Sequence, residues 1–189
     1  ESLTLDPPKD TYWEGKQLGT LTTLAGVAEA LSNTPRQTEA IKTIRHRLER
    51  WLTFDGEQDA EHFYYDKSWG TLIGSPPSYG SDDQINDHHF HYGYFIRAAA
   101  EVARFDPDWA AKWGPRVELL IRDVASIVPN DPLFPRLRHF DPYAGHSWAS
   151  GHAIFGDGNN QESSSEAMNA WYGIALWGAA TKNTELLDL

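Results

Sequence analysis

The sequence predicts a mainly α-helical fold, in which helical hairpins are joined by long loops and one short β-hairpin interrupts them. Three observations carry this reading. Apolar residues recur at helical spacing in five long stretches. Helix-start signals stand where stretches begin, as in Thr34-Pro35-Arg36-Gln37 and Asp106-Pro107. The segments between them are rich in glycine, proline and aromatic residues.

In chain order, residues 1–15 are polar and broken by Pro7 and Pro8, which predicts an extended lead-in. Residues 16–33 read as a helix with Leu18, Leu21, Leu24, Ala25, Ala28 and Leu31 near one face. A second helix follows at once. Thr34 is its expected cap, Pro35 suits the first helical position, and Gln37 completes a capping box. It runs to about Leu52 and buries Ile41, Ile44, Leu48 and Trp51, so the first two helices form an antiparallel pair. His62-Phe63-Tyr64-Tyr65 and Thr71-Leu72-Ile73, split by Gly70, predict a short hairpin. Residues 74–86 predict a loop, and 88–105 a third helix. The next helix starts at Asp106-Pro107, is expected to break near Gly114-Pro115, and continues to about Val128. A loop from Pro129 to Gln161 carries Phe140, Tyr143, Trp148 and Phe155, and loops of that length inside a compact domain are usually functional. A fifth long helix spans 163–182, and a sixth begins at Asn183-Thr184-Glu185. Such hairpins close into α/α toroids, and five and a half helices make half of a twelve-helix ring.

Composition bounds the function. A chain of 189 residues suits one domain, and an apolar fraction of 40% is enough to build a core. No apolar run approaches the roughly 18 residues of a membrane span. A net charge of −11 repels phosphate backbones, which argues against nucleic acid as a partner; a neutral polysaccharide meets no such field. Cysteine is absent, which removes disulfides and thiolate zinc sites. The chain opens on Glu1 rather than Met, so it reads as processed or cut from a longer polypeptide. Eight Trp, eight Tyr and eight Phe exceed what a core of this size needs, and flat rings suit the apolar faces of pyranoses.

Three stretches concentrate chemistry. Asn86-Asp87-His88-His89-Phe90-His91-Tyr92-Gly93-Tyr94-Phe95 opens a helix, with Asp87, His91 and Tyr94 on one face and His88 on the face of Tyr92 and Phe95. The plainer readings are an N-cap for Asp87 and hydrogen-bonded packing for the histidines. Gly145-His146-Ser147-Trp148-Ala149-Ser150-Gly151 offers an imidazole and an indole between two glycines. Gln161-Glu162-Ser163-Ser164-Ser165-Glu166-Ala167 places two carboxylates four residues apart at a helix start, where the plainer reading is a solvated first turn. A capping box of Ser163 and Glu166 would occupy Glu166 and leave Glu162 as the freer carboxylate.

These three motifs, in this order and preceded by Tyr79-Gly80-Ser81, resemble glycoside hydrolase family 81, the endo-β-1,3-glucanases, over roughly residues 11–183. The resemblance implies an (α/α)6 catalytic barrel, of which residues 1–189 are the N-terminal part, with a β-sandwich domain and the rest of the barrel absent. It implies a secreted enzyme that hydrolyses β-1,3-glucan, of the laminarin or curdlan type, with inversion and without cofactor or metal. By the same resemblance Asp87 falls on the general acid. Glu162 and Glu166 fall on paired glutamates, one of them the base, with Glu162 favoured and Glu166 positioning water or sugar. His91 falls on a histidine of the cleft, and Tyr94, His146, Trp148 and His88 are expected to line it. Two carboxyl groups satisfy hydrolysis, because the leaving oxygen needs a proton and water needs a base. A helix N-terminus lowers a carboxyl pKa, which opposes Asp87 as an acid; burial or neighbouring carboxylates must overcome it. Two other classes fit less well. Asp87 and His91 have the spacing of helical metal ligands, but zinc-hydrolase signatures are missing. A non-catalytic glucan-binding domain suits the aromatic loops but has no need of paired acids.

Overall fold

The computed structural model describes residues 10–56 and 58–189, and residues 1–9 of the expected lead-in lie outside them. The described chain forms three helical hairpins. The first pairs α1 (Thr11–Ala30) with α2 (Thr34–Trp51), the second α3 (His88–Phe105) with α4 (Pro107–Val124), and the third α5 (Ser164–Thr181) with the short α6 (Thr184–Leu187). Between the first two lies an antiparallel hairpin of β1 (His62–Asp66) and β2 (Thr71–Ser75), where His62 faces Ser75 and Asp66 faces Thr71. The long loop before α5 holds a two-residue pair, β3 (Phe140–Asp141) with β4 (His146–Ser147). The fold is therefore mainly α, as the sequence predicts.

Several boundaries differ. The first helix starts at Thr11, not Lys16, because Asp10 caps it and accepts from the Tyr12 and Trp13 N–H groups at 2.9 Å. The cap of α2 is Asn33, whose side chain accepts from Arg36 N–H at 3.3 Å; Thr34 is already helical. Leu24 and Leu31 are exposed, since the described neighbours of α1 cover only the side bearing Leu18, Leu21, Ala25 and Ala28. The α4 helix runs unbroken through Gly114-Pro115 and stops at Val124. Pro115 removes a ladder bond at a cost of about 3 kcal/mol. Burial of Trp109, Trp113, Val117, Leu120 and Ile121 on both sides of it outweighs that cost.

Glycines set the helix layer. A Cβ on Gly93 would lie 2.6 Å from the Ala170 nitrogen, and one on Gly173 would lie 2.9 Å from the Arg97 nitrogen. Here α3 and α5 touch backbone to backbone, and Ala170 beside Gly93 with Gly173 beside Arg97 makes them parallel. On its other side α3 meets α1, also in parallel: Thr11 bonds His91, Gly19 packs against Tyr94, and Glu29 pairs with Arg104. The α2 helix runs the opposite way, with Trp51 against Phe95 and Arg45 bonded to Asp106. The three parallel helices therefore start at one end of the molecule, and the functional motifs sit at two of those starts. No described helix is long and apolar enough to cross a membrane.

Candidate active site

Asp87 occupies the cap position of α3 without capping it. Its backbone is left-handed (φ 57°, ψ 19°), and its carboxylate makes no bond to the first-turn N–H groups. The side chain is 5% exposed; Oδ2 accepts from Asn86 Nδ2 at 3.1 Å, and the buried Oδ1 has no partner among the described residues. Burial pushes the carboxyl up to about 7, and Glu162 and Glu166 add to the effect by repulsion. The conflict between a helix start and a raised pKa is thus resolved by geometry: the group is turned away from the N–H donors and desolvated.

The chain is sewn together at this point. Asp87 N–H donates to the Ala149 carbonyl at 2.9 Å, and Ala149 N–H donates to the Asn160 carbonyl at 2.6 Å. One residue of the Trp148 loop therefore ties the start of α3 to the segment that leads into α5. The parallel register of α3 and α5 does the rest, since Asp87 lies six residues before Gly93 and Ser164 six before Ala170.

The two glutamates differ. Glu162 precedes α5 rather than lying on it; it is exposed, left-handed (φ 59°), and separated from the helix by the cap residue Ser163. The two carboxylates expected together at a helix start are thus divided, one before the helix and one within its first turn. Glu166 sits in the first turn, and its own N–H reaches Ser163 Oγ at 3.3 Å. Its side chain leaves the cap and turns to α1 and α3. Its Oε1 accepts from Tyr94 Oη at 2.7 Å, Tyr12 Oη at 3.1 Å and Lys16 Nζ at 3.2 Å. Burial alone would raise the Glu166 carboxyl, and these three donors overcome it and hold it below its ordinary value.

The histidines sort by depth. His91 Nδ1 bonds Thr11 Oγ1 at 2.8 Å, and its buried Nε2 has no partner among the described residues. Its ring lies 5.3 Å from that of Tyr12 and 6.3 Å from that of Tyr79. Burial, then the nearby His88, depresses its pKa to about 3, so the ring is neutral. His88 is wholly buried and does not line an open cleft: Nδ1 bonds Asp123 Oδ2 and Nε2 the Ser81 carbonyl, both at 2.7 Å. Asp123 also accepts from Thr71 Oγ1 (2.7 Å), Leu72 N–H (2.9 Å) and Arg138 Nη2 (3.1 Å). This network braces the loop before Asp87 against β2 and the end of α4. Tyr94 presents its hydroxyl to Glu166 rather than to an open cleft, and its pKa rises to about 12 through burial and that bond. His146 and Trp148 are half-buried, with rings 4.4 Å apart edge to face, and the indole N–H donates to Asp141 Oδ2 at 3.2 Å. Among the described residues no three His, Asp or Glu side chains form a metal cage.

Sequence reasoning passed over Tyr12, Lys16, Asp123 and Arg138. For the first two a signal existed: Gly15 and Gly19 stand four apart inside a helix, where glycine is costly unless another backbone or ring comes close. Asp123, among Leu120, Ile121 and Val124, is a charge at the edge of an apolar helix face.

A helical domain with a desolvated acid and two further carboxylates at neighbouring helix starts has the makings of a carboxylate-based hydrolase. The family model described as the glycosyl hydrolase family 81 C-terminal domain matches residues 5–189, and the chain belongs to this family. A protein of Acetivibrio thermocellus named glucan endo-1,3-beta-D-glucosidase is 58% identical over 95% of this chain. One of the same name from Thermobifida fusca is 50% identical over 95%. A solved structure described as glycoside hydrolase family 81 from Clostridium thermocellum superposes with a TM-score of 0.90 at 56% identity, over 96% of this chain and 26% of that one. The chain spans 24% of the length of the two curated relatives.

Proposed function

We propose that this domain supplies the acid and base of an inverting endo-β-1,3-glucanase acting on laminarin- or curdlan-type glucans outside the cell. The observation that carries the reading is the Asp87 carboxyl: buried, uncapped, with Oδ1 unpartnered among the described residues, and holding its proton to about pH 7 beside two glutamates. Asp87 gives that proton to the glycosidic oxygen as the bond to the anomeric carbon breaks. Glu162, exposed and outside the Tyr–Lys contacts that hold Glu166, takes a proton from water as the water attacks the opposite face. Glu166 orients that water or a sugar hydroxyl. His91, His146 and Trp148 contact the glucan. Tyr94 acts through Glu166, and His88 through the loop it braces.

For architecture, we propose the N-terminal part of an (α/α)6 toroid, with the remaining hairpins and a β-sandwich domain belonging to the rest of the polypeptide. In support, apolar side chains stand uncovered by the described residues at both edges of the parallel layer: Trp13, Leu24 and Val27 on α1 with Leu31 at its C-cap, and Met168 and Tyr172 on α5.

The test is laminarin hydrolysis by this chain and by a polypeptide extended to the length of its relatives. Asp87→Asn should abolish turnover and retain glucan binding. Azide should rescue Glu162→Ala, giving a glycosyl azide of inverted configuration, and should not rescue Glu166→Ala. Rescue of Glu166→Ala instead would exchange the two roles.

A further inference from the structure

We propose that Lys16, with Tyr12 and Tyr94, forms a positioning cradle that holds Glu166 as a fixed carboxylate, and that this fixed charge helps keep the proton on Asp87. The proposal rests on the acid–base reading above and adds Lys16 and Tyr12 of α1 to it.

Three donors converge on one oxygen. Tyr94 and Tyr12 give hydroxyl protons to Glu166 Oε1, and Lys16 adds an ion pair at 3.2 Å while also donating to Tyr94 Oη at 3.2 Å. Oε2 takes none of these bonds, which leaves it for water or a sugar hydroxyl. The lysine lies 5.6 Å from the Tyr12 ring centroid and 5.5 Å from that of Tyr94, so its cation is also held by both ring faces.

The cradle is built into the backbone. Asp10 fixes the first turn of α1 and so places Tyr12. The Tyr12 ring is wedged 5.0 Å from Tyr79 and 5.3 Å from His91. Gly15 and Gly19 give the Tyr94 ring its place against α1, since a Cβ on Gly19 would come within 2.8 Å of its Cδ1. A surface ion pair formed by chance has no such support.

The groups on Glu166 are Tyr12 and Lys16 from α1 and Tyr94 from α3, and Glu166 in turn repels the Asp87 carboxyl at the cap position of α3. Two carboxylates near Asp87 favour its protonated form only while they are charged. Lys16 and the tyrosines hold Glu166 below its ordinary range, so it is charged throughout the range in which Asp87 titrates. This separates the two limbs of the pH profile. Glu166 shapes the acidic limb, and Asp87 sets the alkaline one.

The test is the pH dependence of kcat/KM on laminarin in a polypeptide extended to the length of the relatives. Lys16→Met should move the acidic limb up by about one unit, with the alkaline limb unmoved. Lys16→Arg should restore the limb, and Tyr12→Phe, a milder change less able to disturb folding, should shift it the same way by less. Glu166→Gln should move the alkaline limb down, because Asp87 loses a charged neighbour. A Lys16→Met or Tyr12→Phe protein whose rate falls equally at every pH, with the limbs in place, would show a purely structural role and overturn the cradle. An alkaline limb unmoved in Glu166→Gln would overturn its link to Asp87. These failures are distinct from failure of the acid–base reading, which is marked by near-full turnover of Asp87→Asn.

Discussion

Asp87 and Glu166 open two parallel helices that touch backbone to backbone, yet their surroundings drive them in opposite directions. Asp87 is turned off its helix by a left-handed backbone, buried, and given a single side-chain donor among the described residues. Glu166 stays within the first turn and gathers three donors, one of them a cation. One carboxyl titrates near neutrality and the other below its ordinary range. The difference teaches that proximity to a helix start does not by itself fix a carboxyl's charge: which donors the side chain can reach decides it, and backbone conformation decides that.

The contrast can be broken at its acid end first. Asp87→Asn keeps the shape and removes the proton, so kcat on unactivated glucan should fall about a thousandfold with little change in binding, measured by steady-state kinetics and affinity electrophoresis. Near-full turnover would end the comparison. The buried support of Asp87 comes next. Arg138→Met leaves the wholly buried Asp123 carboxylate one charge partner short, and chemical denaturation should show a loss of about 3 kcal/mol.

The parallel register is probed by Gly93→Ala, whose new methyl would meet Ala170 backbone at 2.6 Å. Overpacking there should cost about 2 kcal/mol in the same assay. It should also lower kcat by moving the two helix starts relative to each other. The smallest effect concerns histidine. His91 is held neutral with its pKa near 3, against about 6.5 unfolded. Its contribution to stability is therefore full above pH 6.5 and is lost as pH falls toward 3. A thermal-melting profile of His91→Gln should be flatter over that window than that of the parent chain.

Much of this was legible in the sequence, and the misses have a common cause. The five long helices, the hairpin at 62–73 and the two motif-bearing helix starts follow from periodicity and turn chemistry, which are local. Pro115 was expected to break a helix because its local penalty is plain, whereas the face of Trp113 and Val117 that outweighs it is tertiary. Asp87 reads as a cap by residue type and position; the Asn86–Asp87 turn and the bond to Ala149, a loop 62 residues on, make it something else. Tyr12 and Lys16 belong to the site only because α1 runs beside α3, a pairing that glycine spacing hints at and packing decides. The bonding of His88 was hidden for a similar reason, since its partner Asp123 lies 35 residues away on a helix of opposite direction.

The most direct test is a site-resolved titration of Asp87 by carboxyl-carbon NMR, in the parent chain and in Glu166→Gln. The account predicts a midpoint at about 7 in the parent and a lower one in the variant, because a charged neighbour is lost while burial remains. A midpoint at the ordinary aspartate value of about 4 in both would contradict it, since Asp87 would then reach neutral pH without the proton its role requires.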